Sequence, residues 1–302
     1  MRAYLNSMER KEFINSKGEQ FSYLSNESDQ NDVNFIFFHA TGFNAQTYEL
    51  LLEALNEKSN SKLNLYAFDQ RGHGFSQARS VPSELNSWSV FLEDGLEFID
   101  SLSGKIICSG HSMGSVIAAK IASLRGKRVQ KLFMIEPVLY SRWESFKFSL
   151  MSNLKINRKL DIASGAAKRR REFESLEYAL SSYKGRGAFA TWGDEWISSY
   201  LLGGTEETKD GNIQLTCAPE WESATFRASS MDTWKYLKKI KIPSEIVYAE
   251  VSHTYSPRAR KEIDRLGKNW NSKCYNDATH FLPMEKADSV TEDIIEYIKD
   301  FL

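Results

Sequence analysis

Two hydrophobic patterns alternate along this chain. Short, nearly unbroken apolar runs occur at Val33–Phe38, Leu63–Phe68, Ile106–Cys108, Lys131–Ile135, Ser244–Ala249 and Asn271–Tyr275. Runs of this length read as buried strands. Between them lie stripes at helical spacing. One places Trp88, Phe91, Leu92, Phe98, Ile99 and Leu102 on a single face, and another places Val290, Ile294, Ile295, Ile298 and Phe301 together. Further helices are expected from about Ala45 to Leu55, from Met113 to Leu124, and from Pro257 to Leu266 with Gly267 as its C-cap. Before the first run, Phe13-Ile14 and Phe21–Leu24 flank the turn residues Asn15–Gly18, which predicts a hairpin, and polar residues 25–32 follow as a loop.

Strands alternating with helices in this way predict an α/β fold with a mostly parallel central sheet and helices on both faces. The alternation stops after Glu136-Pro137 and resumes at Pro243. The expected organisation is therefore a core domain from 1–137 and 243–302, with 138–242 inserted as a helical cap. That stretch is charged and holds five of the seven tryptophans, Trp143, Trp192, Trp196, Trp221 and Trp234.

Composition narrows the function. A net charge of −1 gives no general attraction to nucleic acid or anionic membranes. Three cysteines without a C-x-x-C pair fit a reduced, cytoplasmic protein. The first ten residues contain no apolar core of a signal peptide, and no run approaches ~18 apolar residues. No P-loop, no G-x-G-x-x-G opening a helix, no H-E-x-x-H and no Cys/His ligand spacing is present. The expectation is therefore no cofactor and no metal.

The chemistry centres on Gly110-His111-Ser112-Met113-Gly114, a G-x-S-x-G match between the Ile106–Cys108 run and the Ala-rich helix. On a strand-turn-helix junction such a turn is tight, and glycines on either side give its backbone room. It points the Ser112 hydroxyl out of the sheet at a helix N-terminus, where free N–H groups favour the charge on an attacked carbonyl.

Together with three other motifs, this chain resembles the α/β-hydrolase superfamily over nearly its whole length. His39-Ala40-Thr41-Gly42 resembles the oxyanion loop, with Ala40 where the family usually has Gly. Asp69-Gln70-Arg71-Gly72-His73-Gly74-Phe75-Ser76 resembles its D-x-R-G-x-G-x-S loop, and Ala278-Thr279-His280-Phe281 its histidine loop. The resemblance implies Ser112 as nucleophile, His280 as base, and backbone N–H groups of Met113 and Thr41 as oxyanion donors, with Gly42 or Phe43 as alternatives to Thr41. His253 competes with His280 but lies near a strand end. The usual acid position holds Ser252. Glu136, directly after the Lys131–Ile135 run, is the substitute, placed as in several haloalkane dehalogenases. The carboxyl ends of parallel strands converge on one crevice, which favours it. Glu250 and Asp277 remain as alternative acids, and an incomplete triad as a further alternative.

These residues predict a serine esterase acting on a small-to-medium carboxylic ester through an acyl-enzyme. Lactone opening, thioester or amide hydrolysis, carbon–carbon hydrolysis, perhydrolysis and acyl transfer use the same machinery. A non-catalytic receptor for a small apolar molecule is the other class. Ser112 in place of Asp argues against an epoxide hydrolase or a dehalogenase. His39 and His111 read as packing residues, and Asp69, Arg71 and His73 as a structural loop. The tryptophans and Phe146, Phe148, Phe189 and Phe226 are candidates for an apolar pocket. Lys168–Arg171 reads as a solvated helix face.

Overall fold

The computed structural model describes residues 8–153, 161–229 and 231–302. Met1–Ser7, on which part of the leader expectation rests, lie outside the described residues. The predicted hairpin is β1 (Glu9–Ile14) and β2 (Gln20–Ser25), paired antiparallel. The apolar runs then become β3 (Val33–Phe38), β4 (Asn64–Phe68), β5 (Lys105–His111) and β6 (Val129–Ile135). The helices between them are α1 (Glu49–Lys58), α2 (Ser89–Ser101) and α3 (Met113–Leu124). A 3-10 turn, Ala45–Tyr48, leads into α1. It is capped by Asn44, whose side chain accepts from the Thr47 N–H.

After β6 come α4 (Arg142–Asn153), α5 (Asp161–Ala166), β7 (Glu172–Phe173), α6 (Leu176–Tyr183), α7 (Asp194–Gly204), β8 (Thr205–Glu207), β9 (Ile213–Leu215), α8 (Pro219–Arg227) and α9 (Trp234–Leu237). The chain then returns to β10 (Ser244–Ala249), α10 (Pro257–Ile263), β11 (Trp270–Tyr275), α11 (Leu282–Glu285) and α12 (Ala287–Ile298).

The main sheet runs β1-β2-β4-β3-β5-β6-β10-β11, parallel from β4 to β11. Side-chain alternation gives it two buried faces. Phe35 and Phe37 join the α1 and α12 residues Leu51, Leu55, Val290, Ile294 and Ile298. Ile36 and Phe38 join Phe91 and Phe98 of α2 and Val116 and Ile117 of α3 on the opposite face. Burial on both faces explains why these strands read as continuous apolar runs. β10 pairs with β6 although all of 138–242 separates them in sequence. None of the described residues from 138 to 242 joins this sheet.

Three expectations change. The 138–242 stretch is not wholly helical, because β7, β9 and β8 form a small antiparallel sheet. Its strands have only two or three residues, too few for a period to register in the sequence. The helix beginning at Pro257 stops at Ile263 with Asp264 as C-cap, so Gly267 is not its cap. Finally, Lys168–Arg171 is not a helix face but a turn entering β7, and Arg169 points inward to an ion pair with Glu222. Among the described residues, no helix is long and apolar enough to cross a membrane.

Candidate active site

The site forms where β3, β5, β6 and β10 end. Ser112 follows β5 with φ 58° and ψ −117°, a conformation that non-glycine residues rarely adopt. Such strain costs about 1–3 kcal/mol and persists only where the surroundings impose it. Here they do. The Ser112 N–H donates to Ile135 O at 3.0 Å. Ser115 Oγ donates to Gly110 O at 2.5 Å and accepts from the Ile135 N–H at 2.9 Å. A Cβ on Gly110 would sit 2.5 Å from Gly114 C, and one on Gly114 would overlap Phe38 O. The two glycines therefore let the elbow pass against itself and against β3. Ser115 thereby braces the elbow, and nothing in the sequence marks it, since a buried serine inside an Ala-rich helix carries no distinguishing pattern.

His280 Nε2 lies 3.0 Å from Ser112 Oγ, and His280 Nδ1 lies 3.1 Å from Glu136 Oε2. For Nε2 to accept from the serine hydroxyl, Nδ1 must carry the proton and donate it to the carboxylate. Glu136 is wholly buried and also has a positive φ, 46°. Its N–H donates to Val247 O at 2.9 Å, so β10 holds it in place. Its carboxylate accepts from the Ala249 N–H at 2.5 Å and from Ser252 Oγ at 2.7 Å. A buried carboxylate needs such partners. Thr254 Oγ1 stands 3.1 Å from His280 Nδ1. No sequence pattern marks Ser252 and Thr254 as partners of Glu136; the β6–β10 pairing brings them there.

The other nominated residues separate cleanly. Met113 is fully buried at the start of α3, and Thr41 Oγ1 lies 3.4 Å from its sulfur, so the two candidate oxyanion residues are neighbours. Glu250, His253 and Asp277 are exposed, and no side-chain hydrogen bond links them to Ser112 or His280. Asp69 and Arg71 are engaged in the frame. Asp69 accepts from Arg10 and from the Ala45 and Phe75 N–H groups. Arg71 forks onto both Asp94 and Glu19.

Residues of 138–242 close over this site. Asn44 Nδ2 donates to Tyr200 O at 2.9 Å, and Trp221 Nε1 donates to Arg71 O at 3.0 Å. Phe43, beside Thr41, packs edge-on against Trp192 and Tyr200, with centroids 5.2 and 5.8 Å away. Trp192 in turn meets Phe281, the residue after His280, at 5.8 Å. Ser112 is left only 7% exposed. Phe189 joins this aromatic group, while Trp143 and Phe146 are exposed and Trp234 is tied to Tyr140 O. Three of the five histidines are buried. Desolvation pushes His39 down to about 4, His73 down to about 3, and His111 well below the ordinary histidine value. They are hydrogen-bonded rather than simply packed: His39 Nε2 accepts from the Gln70 N–H at 2.9 Å, and His111 is bonded through both ring nitrogens.

The sheet order, the elbow and the histidine loop define an α/β hydrolase. Residues 29–188, just over half of the chain, match the Hydrolase_4 family, described as serine aminopeptidase, S33, and the chain belongs to that family. Over 106 residues it is 27% identical to a Mycoplasma pneumoniae protein named "Putative esterase/lipase 2", covering 35% of this chain and 38% of that protein. The aligned region therefore spans well under half the length of that relative. Among solved structures it is similar to E-2-(acetamidomethylene)succinate hydrolase, with TM-score 0.77, 19% identity, and 97% and 99% of the two chains covered. It is also similar to a thioesterase domain from the curacin biosynthetic pathway, with TM-score 0.74, 20% identity, and 96% and 99% covered. A third is the peroxisomal alpha-beta-hydrolase of Saccharomyces cerevisiae, with TM-score 0.75, 16% identity, and 97% and 89% covered. At these identities the structural likenesses speak for the fold.

Proposed function

We propose that this hydrolase cleaves a small-to-medium carboxylic ester with an apolar part, through an acyl-enzyme on Ser112. The observation that carries the reading is the pair of contacts on one imidazole, Ser112 Oγ at 3.0 Å from Nε2 and Glu136 Oε2 at 3.1 Å from Nδ1. Ser112 Oγ attacks the carbonyl carbon, and its proton passes to His280 Nε2. Glu136 holds the tautomer and stabilises the imidazolium. The Met113 and Thr41 N–H groups receive the oxyanion. On collapse, the carbon–oxygen bond to the alcohol breaks, and His280 returns its proton to the leaving oxygen. Water, deprotonated by the same imidazole, then releases the acid.

In this reading 138–242 acts as a lid that moves to admit substrate, and Phe43, Trp192 and Phe281 give the apolar part of the ester its surface. The three free thiols, two of them buried, support a cytoplasmic location.

The test is labelling with a fluorophosphonate probe, wild type beside Ser112→Ala, Glu136→Gln and Glu250→Gln. The reading requires strong wild-type labelling that disappears in Ser112→Ala, slows in Glu136→Gln and is unchanged in Glu250→Gln. Slowing by Glu250→Gln alone would move the acid past β10. An unlabelled wild type would overturn the enzyme mechanism in favour of a ligand receptor.

A further inference from the structure

One buried hydrogen-bond chain joins the three loops that the proposed mechanism uses. His111, adjacent to Ser112, lies 2.7 Å through Nε2 from the backbone O of His280. Its Nδ1 lies 2.7 Å from Tyr48 Oη. Tyr48 Oη in turn accepts from the Ala40 N–H at 3.2 Å. Both side chains are wholly buried.

The chemistry of the partners sets the direction of every bond. A carbonyl oxygen only accepts, so His111 Nε2 must carry the proton. Nδ1 of the neutral ring is then an acceptor, and Tyr48 must donate to it. The same phenol oxygen has a lone pair left for the Ala40 N–H. No member has an alternative role that keeps all three bonds. Burial keeps the phenol protonated and the imidazole neutral, as the chain requires. Neutrality matters because the His111 and His280 rings lie 4.9 Å apart, and a cation there would oppose the imidazolium that forms on His280.

We infer that His111 and Tyr48 are positioning residues for the hydrolytic reaction, locking the histidine loop and the oxyanion loop to the nucleophile elbow in one register. His111 holds the backbone of residue 280, and so sets where the His280 ring meets Ser112. Tyr48 holds Ala40, and so sets where the Thr41 N–H lies. The inference rests on the proposed site, and its failure can be told apart from failure of that proposal.

The experiment measures kcat and KM for p-nitrophenyl acetate on the full chain, with active sites counted by fluorophosphonate titration. Unfolded or misfolded molecules are thereby excluded from the denominator. His111→Leu removes the donor to His280 O, and kcat per titrated site is expected to fall about 10²-fold with KM within about twofold, as when an interaction made only in the transition state is weakened. His111→Gln restores a donor of similar reach and is expected to recover activity to within about tenfold of wild type. Tyr48→Phe deletes one oxygen and is expected to lower kcat about tenfold, again at constant KM. If His111→Leu does not fold, Tyr48→Phe and His111→Gln carry the test. Unchanged kcat per titrated site in Tyr48→Phe, whatever the loss in melting temperature, would reduce the chain to ordinary core bonding and overturn the inference. Hydrolysis surviving in Ser112→Ala would instead overturn the proposed site.

Discussion

Ser252 donates its hydroxyl to the Glu136 carboxylate at 2.7 Å. The two residues follow neighbouring parallel strands, β10 and β6. The end of β6 thus brings a carboxylate to the His280 imidazole, and the segment after β10 brings a hydroxyl to that carboxylate. The carboxylate stands after β6, and Ser252 after β10 serves as one of its donors.

Moving the carboxylate from one position to the other tests whether the two are equivalent. Glu136→Gln is expected to lower kcat about 10²–10⁴-fold by losing the acceptor that fixes the His280 tautomer. Adding Ser252→Asp to that variant is expected to recover part of the loss, because it returns a carboxylate to the same corner. Steady-state kinetics of the single and double variants decide it; a double variant no faster than Glu136→Gln alone would refute the equivalence.

The elbow predicts a contrast between two glycines. Alanine at Gly114 would drive its Cβ into Phe38 O, a backbone atom with nowhere to go. A destabilisation of about 3 kcal/mol or more is expected, with loss of labelling. Gly165 in α5 has nothing within 4 Å of a built Cβ, and its φ is not positive. Gly165→Ala is expected to stabilise by about 0.4–1 kcal/mol. Urea unfolding of both variants measures the difference.

Arg169 lies under the residues that cover the site. It pairs with Glu222 at 2.5 Å and donates to Tyr200 Oη at 2.6 Å, while Glu222 packs against Gly42 of the oxyanion loop. Arg169→Met leaves a buried carboxylate unpaired and is expected to cost about 3–5 kcal/mol. Arg169→Met with Glu222→Leu removes both charges, and recovery of at least half of the loss is expected in denaturant unfolding. No recovery would mean that the pair is not what couples these positions.

Acid should unfold this protein early. Each of His39, His73 and His111 has a folded pKa held below the unfolded value near 6.5 by burial. Below that pH the unfolded chain binds protons that the folded chain refuses. The stability they contribute is therefore complete above about pH 6.5 and is lost as pH falls toward 4 for His39 and 3 for His73, at about 1.4 kcal/mol per pH unit for each imidazole. His73→Asn keeps a donor for Arg71 O but cannot titrate, and should flatten the slope between pH 6 and 4 by about one proton. An unchanged slope in urea unfolding across that range would refute this assignment.

Much of this was legible in the chain itself. The bounds of β3 and α3 can be read from the sequence to the residue, because a strand buried on both faces and a helix following a glycine elbow leave unmistakable runs. The approach of Ser112 and His280 was foreshadowed because a tight turn and the loop before the last helix each leave a local motif. The inward turn of Arg169 is not legible, because its three neighbours, Lys168, Arg170 and Arg171, are exposed, and a run of like charges does not reveal which member turns inward. The roles of Ser115, Thr254 and Tyr48, and of Ser252 as a donor to Glu136, are not legible there because their partners are distant along the chain.

By itself, then, the sequence determined the local geometry: which segments alternate as strand and helix, where the backbone must turn sharply, and which serine that turn presents. Only the tertiary structure decided the pairings. It set β10 beside β6 across the intervening 138–242 stretch, chose Glu136 over Glu250 as the carboxylate beside His280, and joined His111 to Tyr48. The physical reason is range. Helix, strand and turn preferences act over a few neighbouring residues and are written there, whereas a hydrogen bond between strand ends depends on the register of the whole sheet, to which every packed side chain contributes.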